Sequence, residues 1–254
     1  MSLRRSDARW YLLTQGNQTV SRTIVAAETT GSIVGRIRLA WTYEYGTESD
    51  QCNGIEGPIL SSDQSLLFVT NSTGILIVAD EGQSATLKDL INIPNLCSAN
   101  MIFSEDDSML LVLDKSTYNI IVLNVSTRIV FQISLRDITG LAIDAQLSRM
   151  TLVQNHRIVI LVGTTKTRAV LLLLDFIHPS LLASLSIDSL SEISASDPLS
   201  QLTYTNVDDE HIFVTMAHKS VGVTTVRLGS FEQENFSSIR LSIATFLSLA
   251  VTSN

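Results

Sequence analysis

The chain has 254 residues, of which 45% are hydrophobic and 17% charged, so it has enough apolar material for a large core and is not a disordered protein. Its formal net charge of −8 argues against a nucleic-acid partner, because phosphate binding requires clustered lysine and arginine. The longest apolar stretch, 157–176, is interrupted by Lys166 and Arg168, so no membrane span is expected.

Short apolar runs rich in Val, Ile, Leu and Thr, bounded by Asn, Asp, Ser or Gly, predict β-strands along most of the chain. The runs recur in one order: an apolar strand, a polar turn, a second strand, a second turn and a third strand. The recurring cores lie near residues 9–40, 55–93, 98–135, 138–176 and 200–245. An interval of roughly 40–50 residues between most copies is typical of the blades of a β-propeller.

The first copy, RWYLLTQGNQTVSRTIVAAETTG from Arg9, shows only a second and a third strand, whereas the copies from Gly57 and Ala99 are complete. Almost wholly apolar second strands are expected when both faces of a sheet are covered by neighbouring blades. The residues expected to be buried there are Leu67, Leu111, Leu152 and Phe213. In the first turn of each copy, Asp with Ser, as at Asp63 and Asp106, is expected to hydrogen-bond its own turn.

The stretch 177–200 separates the last two copies and is expected to be an irregular insertion. Ser189 and Glu192 have the spacing of a capping box, which predicts a short helix here and little helix elsewhere. Residues 185–187 also alternate like a strand, so a degenerate outer strand followed by a linker is the alternative.

The segment WTYEYG from Trp41, followed by GPILSSDQSLLFVTNSTGILIVADEG from Gly57, resembles the PQQ-like, quinoprotein-type propeller repeat. The segment FSEDDSMLLVLDKSTYNIIVLNVSTRIV, 103–130, is similar to a YVTN-like or WD40-type blade, although no blade carries a WD dipeptide. These resemblances imply an all-β protein, a β-propeller of four-stranded antiparallel blades. They imply one domain, 1–254, with five to seven blades, or part of a larger propeller.

The resemblance also defines which chemistry to look for. A quinoprotein-type dehydrogenase of this family carries adjacent cysteines, whereas Cys52 and Cys97 are far apart in sequence. A lactonase-like calcium site needs oxygen ligands at the channel mouth, where Glu56 and Asn100 precede the first strands of adjacent blades. The favoured interpretation of this pair is that both are ordinary polar residues of loops. No metal or other cofactor is therefore predicted, and a calcium site is the alternative.

The mouth of the axial channel is expected to present Asn100, with Gly57 and Gly140 at the matching positions of the adjacent blades. No catalytic residue is expected, because the histidines have no evident Ser or Cys partner; they are His156, His178, His211 and His218. The aromatic residues around Trp10 and Trp41 are expected to wedge between blades.

The two cysteines are expected to lie on one face as free thiols, since adjacent inner strands are usually farther apart than a disulfide allows. The favoured function is a rigid interaction scaffold that binds a protein or a small ligand through its loops or channel, without catalysis. One alternative is a calcium-dependent hydrolase, a lactonase or a quinoprotein-type dehydrogenase. Another is an extracellular binding domain of a larger receptor. Four glycosylation sequons favour this alternative: Asn17, Asn71, Asn124 and Asn235.

Overall fold

The computed structural model of the chain describes residues 2–4, 9–15, 20–30, 36–48, 58–104, 106–140, 145–153, 157–163, 169–187, 199–208, 211–218 and 222–228. Within these ranges there are nineteen β-strands and one helix, α1, of five residues. The strands form five separate sheets, four of them with four strands and one with three. The predicted all-β fold is therefore confirmed.

The first sheet comprises β1 (Ser2–Arg4), β2 (Arg9–Gln15), β3 (Val20–Thr30) and β4 (Arg36–Glu48). The second comprises β5 (Ile59–Leu60), β6 (Leu66–Asn71), β7 (Gly74–Asp80) and β8 (Ala85–Asn92). The third comprises β9 (Ser98–Phe103), β10 (Met109–Asp114), β11 (Asn119–Asn124) and β12 (Val130–Ser134). The fourth comprises β13 (Gln146–Val153), β14 (Arg157–Gly163), β15 (Ala169–Asp175) and β16 (Ser180–Ile187). The fifth comprises β17 (Leu199–Asp208), β18 (His211–His218) and β19 (Gly222–Leu228).

In every sheet, strands that follow one another in sequence are also neighbours in space. Each sheet is thus an antiparallel meander, with its first and last strands at its two edges. This is the blade of a β-propeller, in which a short polar turn connects each strand to the next.

The second sheet is packed on both of its faces, as its apolar second strand predicts. Alternate residues of β6 and β7, Leu67, Val69, Leu76 and Val78, pack against the first sheet. The opposite face carries Phe68, whose ring meets the ring of Phe103 in β9 edge-on at 5.3 Å between centroids. Because side chains alternate along a strand, one apolar run serves both faces. Leu67 and Leu111 are fully buried in the second strands of their sheets, as predicted.

Contacts divide the chain into two compact units. One comprises 1–103, 107–117 and 123–130, and the other comprises 104–106, 118–122 and 131–254. In the second unit β13 lies beside β17. There too, the Tyr118 hydroxyl donates to the carbonyl of Ala145 at 2.6 Å, and the Arg136 guanidinium lies 4.0 Å from the Tyr118 ring centroid.

Turns are closed by Asp and Asn side chains, as predicted. Asp63 accepts hydrogen bonds from the Ser65 amide at 3.0 Å and from the hydroxyls of Ser61 and Ser65 at 2.5 and 2.7 Å. Ser104 donates likewise to Asp106 at 2.7 Å. The same role recurs where second and third strands end, at Asn71, Asp80, Asp114, Asn124 and Asp175. Such side chains satisfy turn amides that no strand partner reaches.

The first blade differs from its sequence-based description. It has four strands rather than two, because β1 adds an edge strand and β4 extends through Glu48. Trp41 is consequently part of the last strand of the first blade, and not a residue that precedes the second blade.

The fourth blade is shifted relative to the prediction. Leu152 lies in β13, the first strand of its sheet, and is only partly buried. Gly140 does not begin a strand: it ends α1 (Leu135–Thr139) in a left-handed conformation, with φ of 65°. The reason is local, since the Ser134 hydroxyl accepts from the Asp137 amide and starts a helical turn. Phe213 lies in β18, a second strand, but its side chain is outside the described residues.

The segment 177–200 is not helical where it is described. Ser180–Ile187 forms β16, which pairs along β15 and completes the fourth sheet. The alternation of Leu185, Ser186 and Ile187 therefore indicated the structure of this part correctly. The proposed capping residues Ser189 and Glu192 lie outside the described residues.

Cys97 is disulfide-bonded, which corrects the expectation of free thiols. The sequence holds one other cysteine, Cys52, which lies outside the described residues. Cys97 lies, as expected, in the connection between β8 and β9, and the usual spacing of inner strands, on which the expectation of free thiols rested, does not constrain such a connection. In the described part of the chain, no helix has the length and apolar character needed to cross a membrane.

Candidate functional site

The most polar buried part of the first unit is where β9 begins beside the end of β10. We refer to Cys97, Ser98, Asn100, Asp114 and Lys115 as the β9 site. In the antiparallel register, Ser98 is opposite Asp114 and Asn100 is opposite Leu113. The extra residue in β9 between these pairs forms a bulge, which changes the direction in which neighbouring side chains point.

Asp114 organises the backbone of this site. Its carboxylate accepts hydrogen bonds from the amides of Cys97 at 3.1 Å and Ser116 at 2.9 Å. The hydroxyls of Ser116 and Thr117 donate to it at 2.9 and 2.5 Å. The Lys115 amide in turn donates to the Cys97 carbonyl at 2.8 Å. A buried carboxylate with this many donors is fully occupied in holding the turn after β10 against the start of β9.

Two buried polar side chains lie on β9 itself. Ser98 is 7% exposed, and its hydroxyl has no hydrogen-bond partner among the described residues. Asn100 is also buried, and its amide nitrogen donates a long hydrogen bond of 3.4 Å to the Met101 carbonyl. Because a buried polar group without a partner costs roughly 1–3 kcal/mol, the Ser98 hydroxyl calls for a water molecule or a ligand.

Lys115, which follows Asp114 in the chain, is the basic residue of the β9 site. Burial lowers the pKa of its ammonium group below the usual value. In the part of the chain that the structure describes, no carboxylate forms an ion pair with it. The neighbouring Asp114 does not fill this role, because its oxygens are taken by the turn.

The residues suggested by the sequence for a calcium site are not brought together by the described structure. Glu56 and Gly57 lie outside the described residues, while Asn100 lies on the first strand of its blade. Nowhere in the described ranges do three His, Cys, Asp or Glu side chains form a group that could hold a metal ion.

The histidines are dispersed. His178 is 87% exposed in the turn after β15, with Nδ1 3.9 Å from Asp175. His211 and His218 begin and end β18, and His156 lies outside the described residues.

A second polar contact joins the first two blades. The Tyr11 hydroxyl and the Trp41 indole nitrogen donate to the two carboxylate oxygens of Asp80, at 2.6 and 2.9 Å. The rings of Tyr11 and Trp41 are 6.0 Å apart, and both lie in the core between the two sheets. The predicted wedging of aromatic residues between blades is thus confirmed for Trp41, and its role is structural.

Sequence reasoning singled out Asn100 but missed Ser98, Asp114 and Lys115. Asp114 had a detectable signal, since it occupies the same end-of-strand position as Asn71 in the preceding blade. Ser98 and Lys115 had none, because a serine before an apolar strand and a lysine in a turn are ordinary surface residues in sequence.

The sequence matches no protein-family model and no curated protein. Solved structures do resemble it. A protein from Lactobacillus plantarum superposes with a TM-score of 0.66 at 11% identity, covering 94% of this chain and 69% of the other. The periplasmic gluconolactonase of Pseudomonas aeruginosa superposes with a TM-score of 0.61 at 12% identity, over 94% of this chain and 68% of the other.

A candidate 6-phosphogluconolactonase from Bacteroides fragilis superposes with a TM-score of 0.59 at 9% identity, covering 89% of this chain and 68% of the other. At such identities the likeness concerns the fold and not the chemistry. Together with the sheet topology, it shows that this chain has a β-propeller fold built from four-stranded antiparallel blades.

Proposed function

We propose that this protein is a rigid binding scaffold that takes a small, oxygen-rich anion, such as a sugar acid, at the β9 site. The observation that carries the proposal is the buried Ser98 hydroxyl, which has no partner among the described residues. A ligand oxygen at this position would supply the missing hydrogen bond.

The donor set suits an anion. Ser98 offers a hydroxyl, Asn100 an amide and Lys115 an ammonium group whose charge no described carboxylate balances. Carboxylate and phosphate oxygens accept charge-assisted hydrogen bonds, which are stronger than neutral ones. The lowered pKa of Lys115 means that folding disfavours the charged form, and an anionic ligand would reverse this effect.

The site is also rigid. Ser98 and Asn100 stand on a strand that is paired along its length, and the backbone at Cys97 is held by Asp114 and by the disulfide. A site built in advance loses little conformational entropy when a ligand binds. Rigidity of this kind is typical of a scaffold and supports binding without a large rearrangement.

Titration calorimetry with gluconate, glucuronate and inorganic phosphate tests the proposal. Lys115→Met and Ser98→Ala should each weaken binding of the preferred anion by about tenfold or more, since hydrogen bonds to charged groups contribute 1.5–3 kcal/mol. Lys88→Met is the matched control, because Lys88 is exposed and pairs with Glu81 at 2.9 Å. Absence of heat at millimolar anion, or equal affinity in all three variants, would show that the Ser98 hydroxyl is satisfied by water alone.

A second candidate function is hydrolysis of a sugar lactone. It is favoured by the likeness in fold to the Pseudomonas aeruginosa gluconolactonase, and the product of such a reaction is a sugar acid. The described residues alone do not fit a calcium site: Asn100 supplies one oxygen, whereas calcium takes six to eight. Acid release from glucono-δ-lactone, followed with and without added calcium, separates a hydrolase from a binding scaffold. Elemental analysis of the purified protein for calcium tests the Glu56 and Asn100 pair.

We also propose that the blades of this protein are of the PQQ-like type. The resemblance rests on the segments from Trp41 and from Gly57, and the structure places Trp41 and Asp80, from the end of the second segment, in adjacent blades, joined by a hydrogen bond of 2.9 Å. A protein partner, as the scaffold interpretation also expects, stays a prediction.

A further inference from the structure

Two of the four glycosylation sequons lie in described parts of the chain, and they share one local geometry. In Asn71-Ser72-Thr73, the Asn71 side-chain oxygen accepts from the Thr73 amide at 2.9 Å and from its hydroxyl at 2.6 Å. In Asn124-Val125-Ser126, the Asn124 oxygen accepts from the Ser126 amide at 3.2 Å and from its hydroxyl at 2.9 Å. The sequons at Asn17 and Asn235 lie outside the described residues.

Burial distinguishes the two. Asn71 is 6% exposed, and its turn is packed so closely that a Cβ on Gly74 would lie 1.9 Å from the Ile91 carbonyl oxygen. A sugar attached at Asn71 therefore has no room in the folded blade.

Asn124 ends β11 in a turn on the protein surface. It is partly exposed, Ser126 and Thr127 are exposed, and Ile129 at the far side of the turn is 64% exposed. The Asn124 side-chain oxygen also accepts from the Thr127 amide at 2.9 Å. Its amide nitrogen, the atom that would be modified, has no hydrogen-bond partner in the described structure, so a sugar on this atom breaks no described contact.

The disulfide at Cys97 supplies an independent observation. Structural disulfides form in oxidising compartments, including the secretory pathway in which asparagine is glycosylated. We propose that Asn124 is an N-glycosylation site of this protein and that Asn71 is not, a proposal that does not depend on any ligand at the β9 site.

The donor is a lipid-diphosphate-linked oligosaccharide. The Asn124 amide nitrogen attacks the first sugar carbon, the bond from this carbon to the diphosphate oxygen breaks, and the lipid diphosphate leaves with the electron pair. A carbon–nitrogen bond forms, and the nitrogen loses one proton to water. The Ser126 hydroxyl donates to the Asn124 oxygen and not to the nitrogen that reacts.

The test is secretion of the whole chain from cultured animal cells behind an added signal peptide. Amidase release of glycans in heavy-oxygen water, followed by mass spectrometry, marks each asparagine that carried a sugar. We expect Asn124 to be labelled in most secreted molecules and Asn71 to be unlabelled. Ser126→Ala should remove one glycan, Ser126→Thr should keep it, and Thr73→Ala should leave the glycan mass unchanged.

Translation in microsomes scores transfer to the same variants without requiring secretion. The proposal is overturned if Ser126→Ala carries as many glycans as the parent chain. It is overturned equally if Asn71 is labelled in secreted, disulfide-bonded protein.

Discussion

Asp80 is the side chain that joins the first two blades, and its effect on stability can be measured. Asp80→Ala removes the acceptor of the Tyr11 hydroxyl, the Trp41 indole and the Gly82 amide, at 2.6, 2.9 and 2.8 Å. The free energy of unfolding should fall by about 2–4 kcal/mol, and Tyr11→Phe should cost about 1–2 kcal/mol. Urea unfolding gives both values.

The control for Asp80 is Asp89→Ala in β8. Asp89 pairs with Arg128 at 3.3 Å with both side chains about one-third or more exposed, so its loss should cost at most about 1 kcal/mol. Equal losses for Asp80→Ala and Asp89→Ala would contradict a special role for the contact between blades.

A glycine is required at position 74 both by the backbone conformation and by the lack of room for a side chain. Its φ is +146°, and an added Cβ would lie 1.9 Å from the Ile91 carbonyl oxygen and 2.8 Å from the Ile93 nitrogen. Gly74→Ala should therefore cost at least about 3 kcal/mol, because the backbone of β8 must move. Thermal unfolding of the variant provides the measurement.

Gly82→Ala separates the effect of backbone strain from the effect of steric overlap. Gly82 has φ of +93°, but an added Cβ there has nothing within 4 Å, so only backbone strain of about 1–2 kcal/mol is expected. A Gly74→Ala variant no less stable than Gly82→Ala would mean that the turn before β7 is placed wrongly.

Second strands should contribute more to stability than last strands, because neighbouring blades cover them. Leu111 in β10 is fully buried, whereas Leu90 in β8 is 44% exposed. Leu111→Ala should cost about 2–5 kcal/mol, and Leu90→Ala less than half as much. Chemical denaturation of the two variants tests this order, and a reversed order would contradict the packing of the third blade.

The connection into β9 should depend on the disulfide at Cys97. Closing the long segment back to the only other cysteine, Cys52, restricts the unfolded chain and stabilises the fold by about 4 kcal/mol. Reductant should therefore lower the melting temperature clearly, and a thiol assay on the denatured, unreduced protein should find no free thiol. Two titratable thiols would contradict the bonded state.

The stability of the whole molecule should fall in acid partly through Asp63. Hydrogen bonds from Ser61 and Ser65 lower the pKa of this carboxyl below its usual value. Because the folded pKa lies below the unfolded one, the contribution is present above the unfolded pKa and is lost as pH falls through the folded pKa. Asp63→Asn should flatten the dependence of urea stability on pH below about 4. An unchanged slope would contradict this role.

The strands and turns of this protein could be predicted because their signals are local. Alternating apolar residues and the Asp, Asn and Ser that end each strand lie within a few positions of one another, as at Asp63 and Asn71. From such signals the sequence determined the all-β class and the burial of Leu67 and Leu111, whereas the fourth strand of each blade was implied only by the resemblance to propeller repeats.

Which strands share a blade was decided by tertiary structure. The run 157–176 is apolar almost throughout, so its pattern does not say which strand of a sheet it forms, and Leu152 was assigned to the wrong one. Trp41 likewise was separated from its own sheet, because its partner Ala26 lies on β3, and pairing between strands leaves no local signal at Trp41 itself.

The candidate site and the disulfide depended on distance in space. Asn100 was singled out because the alignment of the repeats placed it at the start of a blade, but Ser98 is unusual only once its burial is known. The same holds for the two sequons, which have one motif and one turn geometry and differ in burial. The sequence by itself determined the hydrogen-bonding and apolar character of each strand. The tertiary structure decided which polar groups are removed from water, because burial depends on neighbours that are far away along the chain.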